Sequence, residues 1–277
     1  MEKPFVDLHV HSYFSDGSLS PEDIAVAANE NGVGLLAMAD HDTIDGNQIL
    51  RDECLKYGIQ CIPAVEIDSV DGNTNFHILA YGYDSNDHEF IDFLKHTRFL
   101  LDESSVKLVE LMQEDYPNFS ISDFMDFTYD KRLGGWKALH YLMDKGLTSS
   151  LKEGIKFYFQ YEMSYDKSGY STISSIAYRI KKAKGYSVLA HPGELIETKD
   201  IDFFKAELHR MISYGLDGIE CYYPSHSDTV TQACLDICHE SNLLITAGSD
   251  CHGVFGKTRV GEMDITLDKL FLKDLYK

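Results

Sequence analysis

Two histidines one residue apart, His9 and His11, close the short apolar run Phe5–Val10. On a β-strand, residues i and i+2 face the same side, so both imidazoles can reach one metal ion. Similar chemistry recurs where other apolar runs end. Asp16 lies in the loop after the first run and His41 follows Gly34–Ala39. Glu66 ends Gln60–Glu66, His191 follows Ser187–Ala190, and Asp250 and His252 follow Leu243–Ala247. His77 stands early in Phe76–Tyr83, where a strand running opposite to its neighbours would bring it to the same end. Six histidines and three carboxylates form a nitrogen- and oxygen-rich set that suits Zn, Mn or Fe and does not choose among them. Cys251 sits between two of these residues but faces the other side of its strand.

Strand-length apolar runs alternate with helix-length amphipathic stretches, the rhythm of βα units. Ser20–Asn31 reads as a helix with Ser20 as N-cap and Pro21 in its first turn. Asn47–Tyr57, Ser175–Lys184, Phe203–Tyr214 and Asp228–Ser241 read as further helices, and Gly218–Tyr222 as another strand. The turn Asp71–Asn73 predicts a hairpin between the third and fourth strands, so the sheet need not be wholly parallel. The count is seven strands. Residues 85–184 break the rhythm: His88–Asp115 carries apolar residues at helical spacing and Lys137–Lys145 continues in the same manner. The reading is an α/β domain built from residues 1–84 and 185–277, with 85–184 as a helical insertion or cap. In a βα barrel the donor residues would all lie at the end where active sites are built.

The 277 residues include 25 basic and 45 acidic ones, a formal charge of −20, with 44% hydrophobic residues. These are globular proportions. The negative far field disfavours duplex DNA and anionic membranes as partners but allows a phosphorylated ligand where cations gather locally. The N-terminal segment lacks the basic and apolar regions of a signal peptide, no apolar run reaches membrane-span length, and the six cysteines form no CxxC pair. A cytoplasmic protein with reduced thiols is expected.

The residues Asp7-Leu8-His9-Val10-His11-Ser12 with Ser15-Asp16-Gly17, then Ala39-Asp40-His41-Asp42-Thr43, Glu66, His77, Ala190-His191-Pro192-Gly193 and Gly248-Ser249-Asp250-Cys251-His252 resemble the PHP (polymerase and histidinol phosphatase) family. Within it the chain is similar to bacterial 3′,5′-nucleoside bisphosphate phosphatases and a related 5′-to-3′ exoribonuclease. The resemblance spans residues 5 to 253 and fills all nine family metal-ligand positions. It implies a distorted seven-stranded (β/α) barrel and three divalent metal ions. One would be held by His9, His11, Glu66 and Asp250, a second by Glu66, His77 and His191, and a third by Asp16, His41 and His252. It also implies a metal-dependent phosphoesterase that hydrolyses a small phosphorylated metabolite, a nucleotide of the 3′,5′-bisphosphate type, by attack of metal-bound hydroxide. Histidinol phosphate and a cyclic phosphate diester are alternative substrates on the same ligands, and a non-catalytic metal- or phosphate-binding module is the alternative of another class.

Beyond the donors, Asp7 and Asp40 stand where carboxylates commonly orient a ligand histidine. Glu66 and Asp250 are the candidate catalytic carboxylates. His226, in Pro224-Ser225-His226-Ser227, is a candidate general acid or phosphate contact. Arg98 and Arg132 are the candidate substrate-binding cations, a guanidinium fork being suited to a second phosphate. Gly135 and Trp136 depart from the pattern of the similar cap segment. The sequence leaves metal identity, substrate and oligomeric state open.

Overall fold

Past its first residue, β1 (Phe5–Val10) is buried throughout, as expected for a strand covered on both faces. In the computed structural model, which describes residues 4–161 and 163–276, β1 pairs in parallel with β2 (Val33–Met38), and β2 with the two-residue β3 (Gln60–Cys61). Between β1 and β2 lies α1 (Pro21–Glu30), opened by a reciprocal capping box of Ser20 and Asp23 with Pro21 in the first turn. Helix α2 (Asn47–Leu55) connects β2 to β3.

The expected single strand Gln60–Glu66 is two strands. It breaks at Ile62-Pro63, where proline lacks the N–H that a continuous ladder needs. The chain resumes as β4 (Ala64–Asp71), which pairs with β5 (Thr74–Tyr81) in a second sheet of order β4-β5-β6-β7-β8. The described residues therefore hold eight strands in two sheets, not seven. The β4–β5 hairpin is antiparallel, closed through Gly72 at φ +62°. Strand β6 (Tyr186–Leu189) pairs antiparallel with β5, and β7 (Gly218–Tyr222) and β8 (Leu244–Ala247) continue in parallel.

Two parallel bridges join the sheets, Val10 to Cys251 on one side and His41 to Glu66 on the other. Each is reinforced nearby: Asp250 N–H donates to His9 O at 2.8 Å, and Asp42 N–H to Glu66 O at 2.8 Å. Both seams lie among the sequence-identified donors. Beneath them, Leu8, Leu35 and Ala37 of one sheet share a buried cluster with Leu79, Tyr81, Val188 and Leu244 of the other. The Tyr81 hydroxyl donates to Leu8 O across this interior at 2.8 Å.

Five helices run between β5 and β6: α3 (His88–Met112), α4 (Ile121–Asp126), α5 (Lys137–Asp144), α6 (Leu151–Gln160) and α7 (Ile173–Lys182). The first half of α3 packs Phe90, Phe93 and Leu94 against the sheet core, together with α7. Its second half turns Leu108, Val109 and Met112 into a separate core with Phe124, Tyr141, Leu142 and Phe157. After β6 come α8 (Pro192–Leu195), α9 (Ile201–Ile212) and α10 (Asp228–Ser241), the last two covering the outer face of the second sheet. No helix among the described residues is long and apolar enough to cross a membrane.

Candidate metal centre

Glu66 is the third residue of β4, inside the strand rather than at its end, and is buried. Its Oε2 lies 3.3 Å from His9 Nε2, 3.2 Å from His11 Nε2 and 3.3 Å from His41 Nε2. Its Oε1 lies 3.1 Å from His77 Nδ1 and 3.0 Å from His191 Nε2. One carboxylate thus meets five imidazoles that arrive on β1, the ends of β2 and β6, and β5. Antiparallel pairing of β4 with β5 sets Asp68 opposite His77 and brings that histidine to the common end.

Asp250 Oδ1 is 3.0 Å from His11 Nε2 and 3.5 Å from His9 Nε2. Asp16 Oδ1 is 3.3 Å from His252 Nε2 and 3.7 Å from His11 Nδ1. The donors fall into three overlapping groups: His9, His11, Glu66 and Asp250; His41, Glu66 and His77; and His11, Asp16, His41 and His252. His191 joins through Glu66 and through His77, whose Nδ1 is 3.3 Å from its Nε2. All nine sequence-identified donors are therefore in one cluster. Six are buried, while His77, Asp250 and His252 keep some exposure and mark its mouth.

The electrostatics fit divalent cations. His9 Nε2 and His11 Nε2 approach to 3.1 Å while facing the same carboxylate oxygen, a crowding of lone pairs that a shared cation relieves. Buried Asp16 Oδ1 and Asp250 Oδ1 face histidine nitrogens without an aligned hydrogen bond. Burial works against charge on His9 and His11. The negative charge beside them outweighs it, from Glu66, Glu220 and Asp250 at His9 and from Asp250 and Glu66 at His11, which is pushed up to about 10. Burial opposes charge on Glu66 too, but the surrounding imidazoles hold its carboxyl well below the usual range. His41 goes the other way, down to about 4, because burial outweighs its carboxylate neighbours. The carboxylates thus favour positive charge on His9 and His11. Metal ions would supply that charge instead.

A second ring of hydrogen-bonding groups fixes the donors, and sequence reasoning named none of its three members. Glu220, buried in β7, accepts from His9 Nδ1 at 3.0 Å and from His191 N–H at 2.8 Å. Asp68 Oδ1 lies 3.4 Å from His77 Nε2. The Tyr223 hydroxyl donates to Asp250 Oδ2 at 2.8 Å. The available signal was a lone acidic residue in one apolar strand, Glu220 in Gly218–Tyr222, and in the other Asp68 two places after Glu66, where alternation returns it to the same face.

Asp7 and Asp40 do not touch the ligand rings they were expected to orient. Asp7 accepts from Ser249 N–H at 2.9 Å and Gly261 N–H at 2.7 Å, tying β1 to the segment after β8, and burial pushes its carboxyl up to about 6. Asp40 accepts from Ser12 N–H, Ser12 Oγ and Ser15 Oγ at 2.6–2.7 Å and so anchors the loop that carries Asp16. Asp42, His191 and Asp250 adopt φ of 53°, 27° and 50°. This left-handed backbone is costly outside glycine, and their N–H groups hold it through Glu66 O, Glu220 Oε2 and His9 O.

His226 stands in the turn between β7 and α10. Its Nδ1 donates to Cys221 O at 3.1 Å and its Nε2 accepts from Gly193 N–H at 3.1 Å, so both nitrogens are engaged by main chain. Arg98 reaches the rim, where its NH1 donates to His41 O at 3.2 Å and Phe14 O at 3.4 Å. Arg132 is exposed on the short turn Lys131–Leu133 before Gly134. Cys251 packs into the core beside β1 and α1, its Sγ 3.3 Å from Thr258 O.

Residues 7–95 match the PHP domain family. Over most of its length the chain is 27% identical to a phosphoribosyl 1,2-cyclic phosphate 1,2-diphosphodiesterase of Eggerthella lenta, covering 91% of this chain and 95% of that relative. It is also 27% identical to a 5′-3′ exoribonuclease of Haemophilus influenzae (92% and 93%) and 26% identical to a 3′,5′-nucleoside bisphosphate phosphatase of Chromobacterium violaceum (89% and 87%). Among solved structures it is similar to one described as a metal-dependent phosphoesterase from Bifidobacterium adolescentis, with a TM-score of 0.76, 25% identity and coverage of 97% and 95%.

Proposed function

We propose that this chain, which matches the PHP domain family over residues 7–95, is a phosphoesterase that releases phosphate from a small nucleotide, with three divalent metal ions held in the cluster around Glu66. The observation that carries this reading is the single buried carboxylate with five imidazole nitrogens within 3.3 Å.

His9, His11, Glu66 and Asp250 would hold one ion, Glu66, His77 and His191 a second, and Asp16, His41 and His252 a third. His41 and His11 lie close enough to be shared between neighbouring groups. When bound, such ions supply positive charge for phosphate oxygens and make a water acidic enough to act near neutral pH. The protein's own part is positional. Glu220 takes the Nδ1 proton of His9, which leaves Nε2 free to face Glu66. Asp68 serves His77 in the same way through Nε2. Tyr223 fixes one oxygen of Asp250 and leaves Oδ1 facing the histidines. Glu66 and Asp250 are assigned as the catalytic carboxylates of the cluster. His226, engaged on both nitrogens, is assigned to holding the Gly193 backbone behind His191 rather than to proton transfer.

The two bridged sheets are read as one distorted barrel from residues 1–84 and 185–277, with 85–184 as a cap over its mouth. Arg132, at the tip of the cap, is assigned to a second phosphate, and the Chromobacterium relative supports a 3′,5′-bisphosphate. The Eggerthella relative favours a second reading, a cyclic phosphate diester cleaved at the same cluster.

The test is metal analysis of protein purified without chelator, followed by phosphate release over nucleotide monophosphates, bisphosphates, sugar phosphates and cyclic diesters. Metal near three ions per chain with release from nucleotides is expected. Metal-loaded protein that cleaves no phosphate ester would overturn the reading.

A further inference from the structure

Trp136 is the only tryptophan of the chain, and its ring centroid lies 5.7 Å from that of His41, inclined by 59°. It immediately precedes α5 with extended backbone and is half-buried. The chain before it is seated on the metal centre. Gly135 N–H donates to Asp16 O at 2.7 Å. Gly134 and Gly135 have φ of 70° and 73°, and a Cβ on Gly134 would fall 2.9 Å from Asp16 O and 2.5 Å from Phe255 Cβ. Only glycine permits this approach. His140 Nε2 lies 2.7 Å from Gly134 O, and Tyr129 stacks on His140 at 4.2 Å. On another side the Arg98 guanidinium carbon is 5.3 Å from the Trp136 ring centroid, while its NH1 is engaged by His41 O and Phe14 O. The indole is thereby fixed beside the donor cluster by two independent attachments.

We propose that Trp136 is the specificity-determining residue of the site: an aromatic wall on which the nucleobase of a nucleoside phosphate stacks, with Arg98 as the positioning residue that holds the ring. The inference rests on the phosphoesterase reading above and narrows its substrate to phosphates bearing a planar heteroaromatic group. A donor cluster grips phosphate and says nothing of what the phosphate is attached to. The indole adjoins that cluster, large enough to cover a base and partly open to solvent. Stacking one base on an aromatic side chain changes affinity by roughly 5- to 150-fold, whereas a sugar phosphate gains nothing from the same surface.

Because Trp136 is the sole tryptophan, its fluorescence reports binding whether or not turnover follows. Metal-loaded protein is titrated with adenosine 3′,5′-bisphosphate and, separately, with ribose 5-phosphate. Quenching by the first and not the second is expected; identical responses overturn the proposal. In parallel, Trp136→Ala and Trp136→Phe are assayed on both compounds. The alanine variant should lower the ratio of kcat/KM for the bisphosphate over ribose 5-phosphate by roughly 5- to 150-fold, chiefly through KM, and phenylalanine should restore most of it. An unchanged ratio in Trp136→Ala overturns the proposal even if both substrates are cleaved. Base-dependent quenching in a protein that releases no phosphate supports the Trp136 assignment while removing the hydrolytic reading, so the two failures are distinct.

Discussion

Around Glu66, polar side chains from both sheets lie buried within hydrogen-bonding range of one another, and the second ring of Glu220, Asp68 and Tyr223 leaves them little freedom. The helices between β5 and β6 are built otherwise. Their core of Phe124, Tyr141, Leu142 and Phe157 is separate from that of the sheets, and their cations Arg132 and Lys131 stand exposed. The two regions are joined by α3, whose ends belong to different cores, and by the Gly134-Gly135 contact with Asp16. The contrast separates two tasks. On the proposed function, the sheet ends would hold what every phosphate ester shares, and the helices between β5 and β6 would meet what distinguishes one ester from another.

If that division is right, variants at the sheet ends change metal content and variants in the cap do not. The largest effect is expected from Glu66→Gln. Removing the charge shared by five imidazoles should cost phosphate release at least ~1000-fold, with metal loss by elemental analysis and an unaltered circular dichroism spectrum. Near-normal turnover with full metal content would end the view of Glu66 as a bridge. Next, His252→Ala or Asp16→Ala should lose one ion of three and reduce kcat by ~10- to 100-fold. Loss of every ion would show that the three groups are not separable. Glu220→Gln comes third. One amide oxygen cannot accept from both His9 and the His191 N–H, so metal affinity measured by competition with a chelator should weaken ~10- to 100-fold. Unaltered affinity would leave Glu220 as a structural tie between β7 and β1. Smallest is Arg132→Ala. A charge-assisted contact from an exposed residue should be worth at most ~10-fold in kcat/KM for a 3′,5′-bisphosphate, with metal content untouched. Equal loss on a simple monophosphate would make Arg132 part of the cap's architecture instead.

Much of this was legible from the chain. Histidines and carboxylates stood where apolar runs ended, and alternation put His9 with His11. The DGN turn foretold the hairpin that reverses β5 and brings His77 to its place. What escaped had physical reasons. Pro63 split a run that hydropathy shows as continuous, because the lost N–H interrupts pairing without lowering apolarity. Glu220 stands alone inside its strand, where a single acidic residue carries no periodic signal, and its partner His9 is 211 residues away in sequence. His226 was read from its position after a strand, but the hydrogen bonds that occupy both ring nitrogens come from Cys221 and Gly193, which only folding brings close. Arg98 stands in the sequence as a candidate substrate-binding cation, and the carbonyls its guanidinium meets, at Phe14 and His41, lie far upstream.

The bridge between Val10 and Cys251 joins the first strand to the segment following the last. During synthesis β1 emerges early, and His9, His11, Asp16, His41, Glu66 and His77 are all available before the cap begins. The seam itself cannot form until residue 251 has left the ribosome, so one edge of β1 waits unpaired through the making of most of the chain. Such an edge is open to adventitious strand pairing, and the long sequence separation of its proper partner slows closure. Asp250 and His252 arrive on the same segment as that seam, so a chain truncated just before them would lack both the Val10–Cys251 bridge and two of the nine donors.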